Sequence, residues 1–251
     1  MIFQKGEVIY RNQYGKIVAK AYSTVARTPR DAAREKGKYA GIQRYLYTTE
    51  DLKAIGDGLD AEEVRGNRVR YWEDVKEGDE LTPIVKNGLT SEDMICFVDA
   101  VKGVQTFADA LEHRRRHPAD IFEDPITGMP DSWEGSWLKD NTAQEFGWPA
   151  AHDTGYQRIC FLDNLVTNWI GDYAFVTRLG AKVLLPGIYG DTQWCKGKVT
   201  KKYIDDRKRH LVDMDVWCEN QRQEVTARGY ATVALASKAL DTAISVYGEE
   251  D

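Results

Sequence analysis

The sequence predicts an α+β protein in which an antiparallel sheet wraps around one long buried helix. Two observations predict it. Residues 156–170 place apolar side chains at Ile159, Leu162, Leu165, Val166, Trp169 and Ile170, a three-and-four spacing that makes one wide apolar stripe. Four β-rich runs follow, AFVTRLGAKVLL, DTQWCKGKVTKK, RHLVDMDVWCE and EVTARGYATVAL. In the third, Val212, Met214, Val216 and Cys218 alternate with Asp213, Asp215 and Trp217, the period of a half-buried antiparallel strand. Laying the striped helix on the one-sided strands buries both.

The elements before the central helix are read in chain order. Residues 7–27 form two β-rich runs around Asn12-Gln13-Tyr14-Gly15, where Gly15 supplies the positive φ of a hairpin turn. An isolated hairpin is marginal in water, so this one is expected to pair with later strands or with another chain. Pro29 opens and Gly37 closes a connecting helix. Thr48, with Asp51 three residues on, predicts a capped helix over 48–55, and the stretch from Gly56 to Gly66 completes the linker. A compact domain starts at YWEDVKEGDEL (71–81), continues with a strand over 81–86, and then has Thr90 capping the amphipathic helix SEDMICFVDAV. Residues 103–136, with Pro118, Pro125, Gly128, Pro130 and Gly135, read as a long loop of the kind that is functional or meets a partner. A short helix at about 139–146 leads to the central one. The expected organisation is an N-terminal hairpin and helical linker over 1–68, the globular domain over 69–240, and a tail over 241–251.

Composition narrows the function classes. With 42% hydrophobic and 29% charged residues in 251, the chain can build a real core. A net charge of −6 leaves no basic excess to neutralise phosphates, which argues against a nucleic-acid partner. The basic runs at 113–117 and 201–209 are short and balanced by acidic neighbours, so they read as solvated surface. Cys96, Cys160, Cys195 and Cys218 lack CxxC spacing and imply reduced thiols rather than a zinc site. The opening shows no charged-then-apolar leader, and the expected compartment is cytoplasmic. No run approaches the ~20 apolar residues of a bilayer span, so no membrane role is expected.

Several of these segments resemble the MaoC-like dehydratases. YWEDVKEGDEL followed by LTSEDMICF resembles the opening of those domains, and LLPGIYGDTQWCKGKV followed by ENQRQEVTARGYATVAL resembles their closing strands, in the right order over residues 71–237. The resemblance implies a hot-dog fold and the hydration or dehydration of an enoyl thioester, a lyase reaction. The substrate it implies is a coenzyme A thioester (acyl-CoA), with no further cofactor and no metal. VIYRNQYGKIVAKAYSTVARTPRDAAREKGKYA resembles the last hairpin and exit linker of the first hot-dog domain in longer, two-domain dehydratases. Residues 1–68 then read as a remnant of such a domain, and orphaned strands with open edges imply a homo-oligomer or a hetero-oligomer with a second hot-dog subunit. The alternative is a hairpin that folds back on its own domain.

That chemistry needs donors for the thioester oxygen and a base or acid pair for the protons. AAHDTGYQR serves the first need, because amides around Asp153, Thr154 and Gly155 open the central helix and lack intrahelical partners. Thr154, Gly155 and Tyr156 are therefore candidate substrate-binding residues, as is Trp137, which with Trp133 is a candidate apolar wall. An ordinary capped helix is the plainer alternative. For the second need, the resemblance implies an Asp and a His separated by four residues, often continuing as HxD. In PDSWEGSWLKDNTAQEFG, Trp137 stands where the histidine would fall and Lys139 where the following Asp would, so the usual pair is missing. His152 is the candidate replacement base, with Asp131 or Asp153 orienting it. A non-catalytic hot-dog subunit shaping a partner's tunnel, and a hot-dog thioesterase, which needs a carboxylate on the central helix where Asp163 lies too far along, are the rival readings.

Overall fold

The computed structural model describes residues 2–27, 39, 41–102, 115–116, 118, 121–124 and 126–239. The connecting helix expected between Pro29 and Gly37, His113 and His117, and the tail over 241–251 lie outside the described residues. The elements are β1 (Ile2–Arg11), β2 (Ile17–Arg27), α1 (Thr49–Asp60), β3 (Ile84–Lys86), α2 (Ser91–Lys102), β4 (Ile121–Glu123), β5 (Pro130–Ser132), α3 (Asp140–Glu145), α4 (Tyr156–Ile170), β6 (Phe175–Val183), β7 (Gln193–Ile204), β8 (His210–Asn220) and β9 (Val225–Ala234).

Five strands form one antiparallel sheet in the order β3-β7-β8-β9-β6. The stripe predicted on α4 is its buried face from the second turn on: Leu162, Leu165 and Val166 are fully buried and Trp169 and Ile170 nearly so, while Ile159 is half-buried. They meet the alternating set Val212, Met214, Val216 and Cys218 of β8, together with the small residues Ala227 and Ala231 of β9. A sheet curled about one long helix is the hot-dog arrangement, and burial of two matched apolar faces holds it together at roughly 25 cal/mol per Å² removed from water. The far end of α4 is closed by Gly171 at φ 76°, where a Cβ would stand 2.6 Å from the carbonyl of Gly66. Asp172 donates to that carbonyl and Arg65 donates to the carbonyl of Asn168, so the linker is tied to the end of the central helix.

α1 departs from the sequence reading. The Thr48/Asp51 capping box is present, but the helix runs on through Gly56 and Gly58 to Asp60. At Gly58 a Cβ would meet Val85 Cγ2 at 2.7 Å, so the missing side chain lets α1 lie close on β3. Packing overrides the poor helix propensity of glycine here. Within the expected loop, β4 and β5 pair as a small antiparallel ribbon.

β1 and β2 form their own two-stranded sheet, apart from the five-stranded one. The strands are longer than the sequence reading, starting at Ile2, and the turn is fixed by Asn12, whose Oδ1 accepts from the amides of Tyr14 and Lys16. Every residue of both strands is exposed, and their hydrogen bonds to described residues stay within the hairpin.

Candidate functional site

The site is built where the chain enters α4. Residues 151–153 run alongside 187–189: Tyr189 donates to the carbonyl of Ala151 (3.0 Å), Asp153 donates to that of Gly187 (2.8 Å), and His152 bridges Ile188. This short backbone ladder fixes the approach to the helix.

His152 is 5% exposed. Its ring stacks on Trp148, with centroids 4.4 Å apart, and Nδ1 lies 3.3 Å from the carbonyl oxygen of Ala150. Burial pushes its pKa down to about 4, against the pull of Asp153 and the Ala150 carbonyl. The imidazole is therefore neutral near pH 7.

Asp153 is buried and fully engaged. Arg158 donates from Nε to Oδ2 (2.6 Å) and from Nη2 to Oδ1 (2.9 Å), while the Gly187 amide donates to Oδ1 (3.2 Å). Arg158, only 1% exposed, also donates from Nη1 to the carbonyls of Leu185 and Thr226. The carboxylate is held in a two-point pair that locks the helix start to the segment after β6 and to the first residues of β9.

Between them, Gly155 sits at φ 72° as the N-cap of α4, and no side chain caps the first turn. The amides of that turn have no intrahelical partner and carry the positive end of the helix dipole. Two buried polar atoms beside it, Thr154 Oγ1 and Gln157 Oε1, have no hydrogen-bond partner among the described residues.

A cavity of about 320 Å³ opens along this first turn. Gln157 and Phe161 of α4 form one wall, with Asp153 and Gly187 at the helix start; Leu59 and Glu62 close it from the α1 side, and Val85, Lys86, Asn87 and Leu89 with Gln193 complete it. Its acidic groups are already bound: Glu62 accepts from the Val85 amide (2.6 Å), Asp191 from Gln221 (2.5 Å) and Arg222 (3.0 Å), and Asp93 from Thr90 in a capping box. Lys86 donates to Asn164 (2.8 Å). What is left unpaired is neutral: Gln157 Oε1, and Nε2 of Gln193, whose Oε1 accepts from Thr226 Oγ1 at 2.5 Å. Buried amide atoms without partners cost about 1–3 kcal/mol each, a cost that a ligand with a matching donor and acceptor removes.

The structure gathers His152, Asp153, Thr154 and Gly155 at one point and sets other candidates elsewhere. Tyr156 is 54% exposed. Trp137 is packed with Met94, Val98, Ala151 and Tyr189 in a second core cluster, and its carbonyl accepts from the Tyr189 hydroxyl. The backbone of Asp131 lies in β5, opposite Phe122. Sequence reading missed Gln157, Arg158 and Gln193. Arg158 falls four residues before Leu162, on the apolar stripe itself, and a charge there signals a buried partner; Gln193, at a strand start, gives no such signal. Among the described residues no group of His, Cys, Asp or Glu is placed to hold a metal ion, and no helix is long and apolar enough to cross a membrane.

No protein-family model matches the chain, and no curated protein matches it in sequence. Solved structures do match. A MaoC-like dehydratase superposes with a TM-score of 0.59 at 18% identity, over 94% of this chain and 65% of that one. A MaoC-like dehydratase from Rhodospirillum rubrum gives 0.49 at 14% identity, over 68% and 99% of the two chains. The (R)-hydratase from A. caviae involved in PHA biosynthesis gives 0.46 at 13% identity, over 65% and 98%. The chain has the hot-dog fold.

Proposed function

We propose that the chain binds an acyl thioester of the coenzyme A type as a subunit of a hydratase or dehydratase, holding the thioester oxygen at the start of α4. One observation carries this reading: the uncapped first turn of the buried helix lies beside a cavity lined by Gln157 and Gln193, each of which keeps a buried side-chain amide atom without a partner among the described residues. Amides at a helix start stabilise the enolate charge that develops when a proton leaves the α-carbon. The two glutamines match the donor and acceptor of an amide group such as those of the pantetheine arm. Asp153 acts by positioning, since its oxygens are taken by Arg158 and Gly187. Proton transfer in this reading is shared with a second hot-dog chain, because Trp137 and Lys139 occupy the places of the usual acid–base pair.

A second reading makes the chain a hydro-lyase on its own, with His152 as base. It is favoured by the Nδ1 contact to the Ala150 carbonyl, which leaves Nε2 as the free basic nitrogen of a neutral ring.

Calorimetric titration of the chain with a saturated acyl-CoA, paired with hydration assays on a panel of enoyl-CoAs, tests both. The first reading expects binding that Gln157→Leu weakens by about tenfold, or roughly 1.4 kcal/mol, and no hydration by the chain alone. Absence of binding overturns it. Hydration by the chain alone that is lost in His152→Ala establishes the second.

A further inference from the structure

The chain that leads into α1 is laced over the approach to α4. Tyr39 and residues 41–47 form no helix or strand, and they lie on the domain through their side chains. Tyr39 stacks on Trp148, with ring centroids 5.3 Å apart and planes 6° from parallel, and Trp148 in turn stacks on His152. Trp148 is half-buried and belongs to the short connection between α3 and residues 151–153. Arg44 donates to Asp140 Oδ1 (2.8 Å), and the same oxygen accepts from the amide of Ala151 (2.9 Å), one residue before His152. The other side of the backbone ladder is held as well. The Tyr47 hydroxyl donates to the carbonyl of Gly190 (2.7 Å), and Arg222 donates both to the Gln43 carbonyl and to Asp191 (3.0 Å), which accepts from the amide of Ile188 (3.2 Å). One irregular segment thus grips both sides of the ladder that fixes the helix start.

We infer that Tyr39 and Arg44 are positioning residues of the site, which hold Trp148 closed over His152 and Ala151 in line with the 187–189 segment, so that the exclusion of water from the imidazole depends on this strap. A merely structural role fits the contacts poorly. The side chains of Arg44 and Asp140 are 55% and 43% exposed, and an ion pair that open to water adds little to global stability. What the pair does is local, since the shared oxygen fixes the amide next to His152. The ring of His152 bonds to no side chain among the described residues and is kept in place by Trp148 and the Ala150 carbonyl. An aromatic stack biases a closed arrangement by about two- to tenfold, so losing Tyr39 frees Trp148 to open and readmit water. The charged groups that act on His152, Asp153 and Arg158, are bound to each other and lie outside the strap. The inference goes beyond the thioester reading and rests on it only in treating the ladder as the approach to a binding site.

The test is the titration of His152 in the full chain, followed by the NMR signal of its ring Cε1–H against pH and assigned by its loss in His152→Gln. In the native chain the midpoint lies at about 4. The double variant Tyr39→Ala, Arg44→Ala is expected to raise the proton affinity of His152 about tenfold, to a midpoint of about 5 or above. The conservative pair Tyr39→Phe, Arg44→Lys is expected to keep the native midpoint. Thermal unfolding at about pH 8, where His152 is neutral in both folded and unfolded chains, is expected to move by about a degree or two at most in either. An unmoved midpoint in the double variant overturns the inference, as does an equal rise in the conservative pair. So does loss of the fold in the double variant, which would make the strap a support of the whole domain. Acyl-CoA titration of the native chain separates the two proposals: a raised midpoint in the double variant without acyl-CoA binding removes the thioester site and leaves the strap, and binding with an unmoved midpoint does the reverse.

Discussion

Asp153 and Arg158 form the most consequential side-chain pair of the site, since both are nearly fully buried and share two hydrogen bonds. Removing one partner leaves the other charge without compensation, which costs about 3–5 kcal/mol in buried pairs. Asp153→Asn is accordingly expected to lower the unfolding free energy, read from urea titration, by that amount, with the larger loss in Arg158→Met, whose carbonyl acceptors at Leu185 and Thr226 also lose their donor. His152 gives a different signature. Its pKa is about 4 in the fold against about 6.5 in the unfolded chain. Between those values the unfolded state binds the proton and the folded state does not, so stability is full above about pH 6.5 and falls as the pH drops towards 4, by about 3 kcal/mol in all. Unfolding curves across that window should show the slope in the native chain and a flatter profile in His152→Gln.

At the scale of the element, the two glycines of α1 make a paired experiment. A Cβ at Gly56 meets open space, whereas one at Gly58 meets Val85 at 2.7 Å. Gly56→Ala is expected to stabilise the protein by about 0.5–1 kcal/mol through helix propensity. Gly58→Ala is expected to destabilise it by about 1–3 kcal/mol, because the helix must lift off β3. Equal effects in thermal unfolding would show that α1 does not press on the sheet. The start of α4 responds differently: Gly155→Ala places a Cβ at φ 72° with only ordinary contacts to Val183, so its cost of about 1–2 kcal/mol is backbone strain. If the first-turn amides hold the thioester oxygen, the same variant weakens acyl-CoA binding, read in the same titration as Gln157→Leu.

At the scale of the whole molecule, the five-stranded domain and the hairpin are separate sheets. Deleting residues 1–27 is expected to leave the thermal midpoint of the domain within a degree or two, roughly the effect of 0.5 kcal/mol or less, measured by circular dichroism. A large drop would mean that the hairpin supports the domain.

The sequence by itself determined the helix Tyr156–Ile170, the strands that cover it, the capping at Thr48 and Thr90, and the position of the helix start, because each is written in local periodicity or in a short-range hydrogen bond. It also placed His152, Asp153, Thr154 and Gly155 together, since they are neighbours in the chain. Only the tertiary structure decided what those residues do. Asp153 is occupied because Arg158 and Gly187 reach it, His152 loses its proton because Trp148 and the surrounding core exclude water, and Trp137 is core because Met94 and Tyr189 pack on it. Gln193 joins Gln157 across the cavity from 36 residues away in the chain. Periodicity reports the face a residue shares with its neighbours, whereas desolvation and pairing depend on distant segments, which no local pattern encodes.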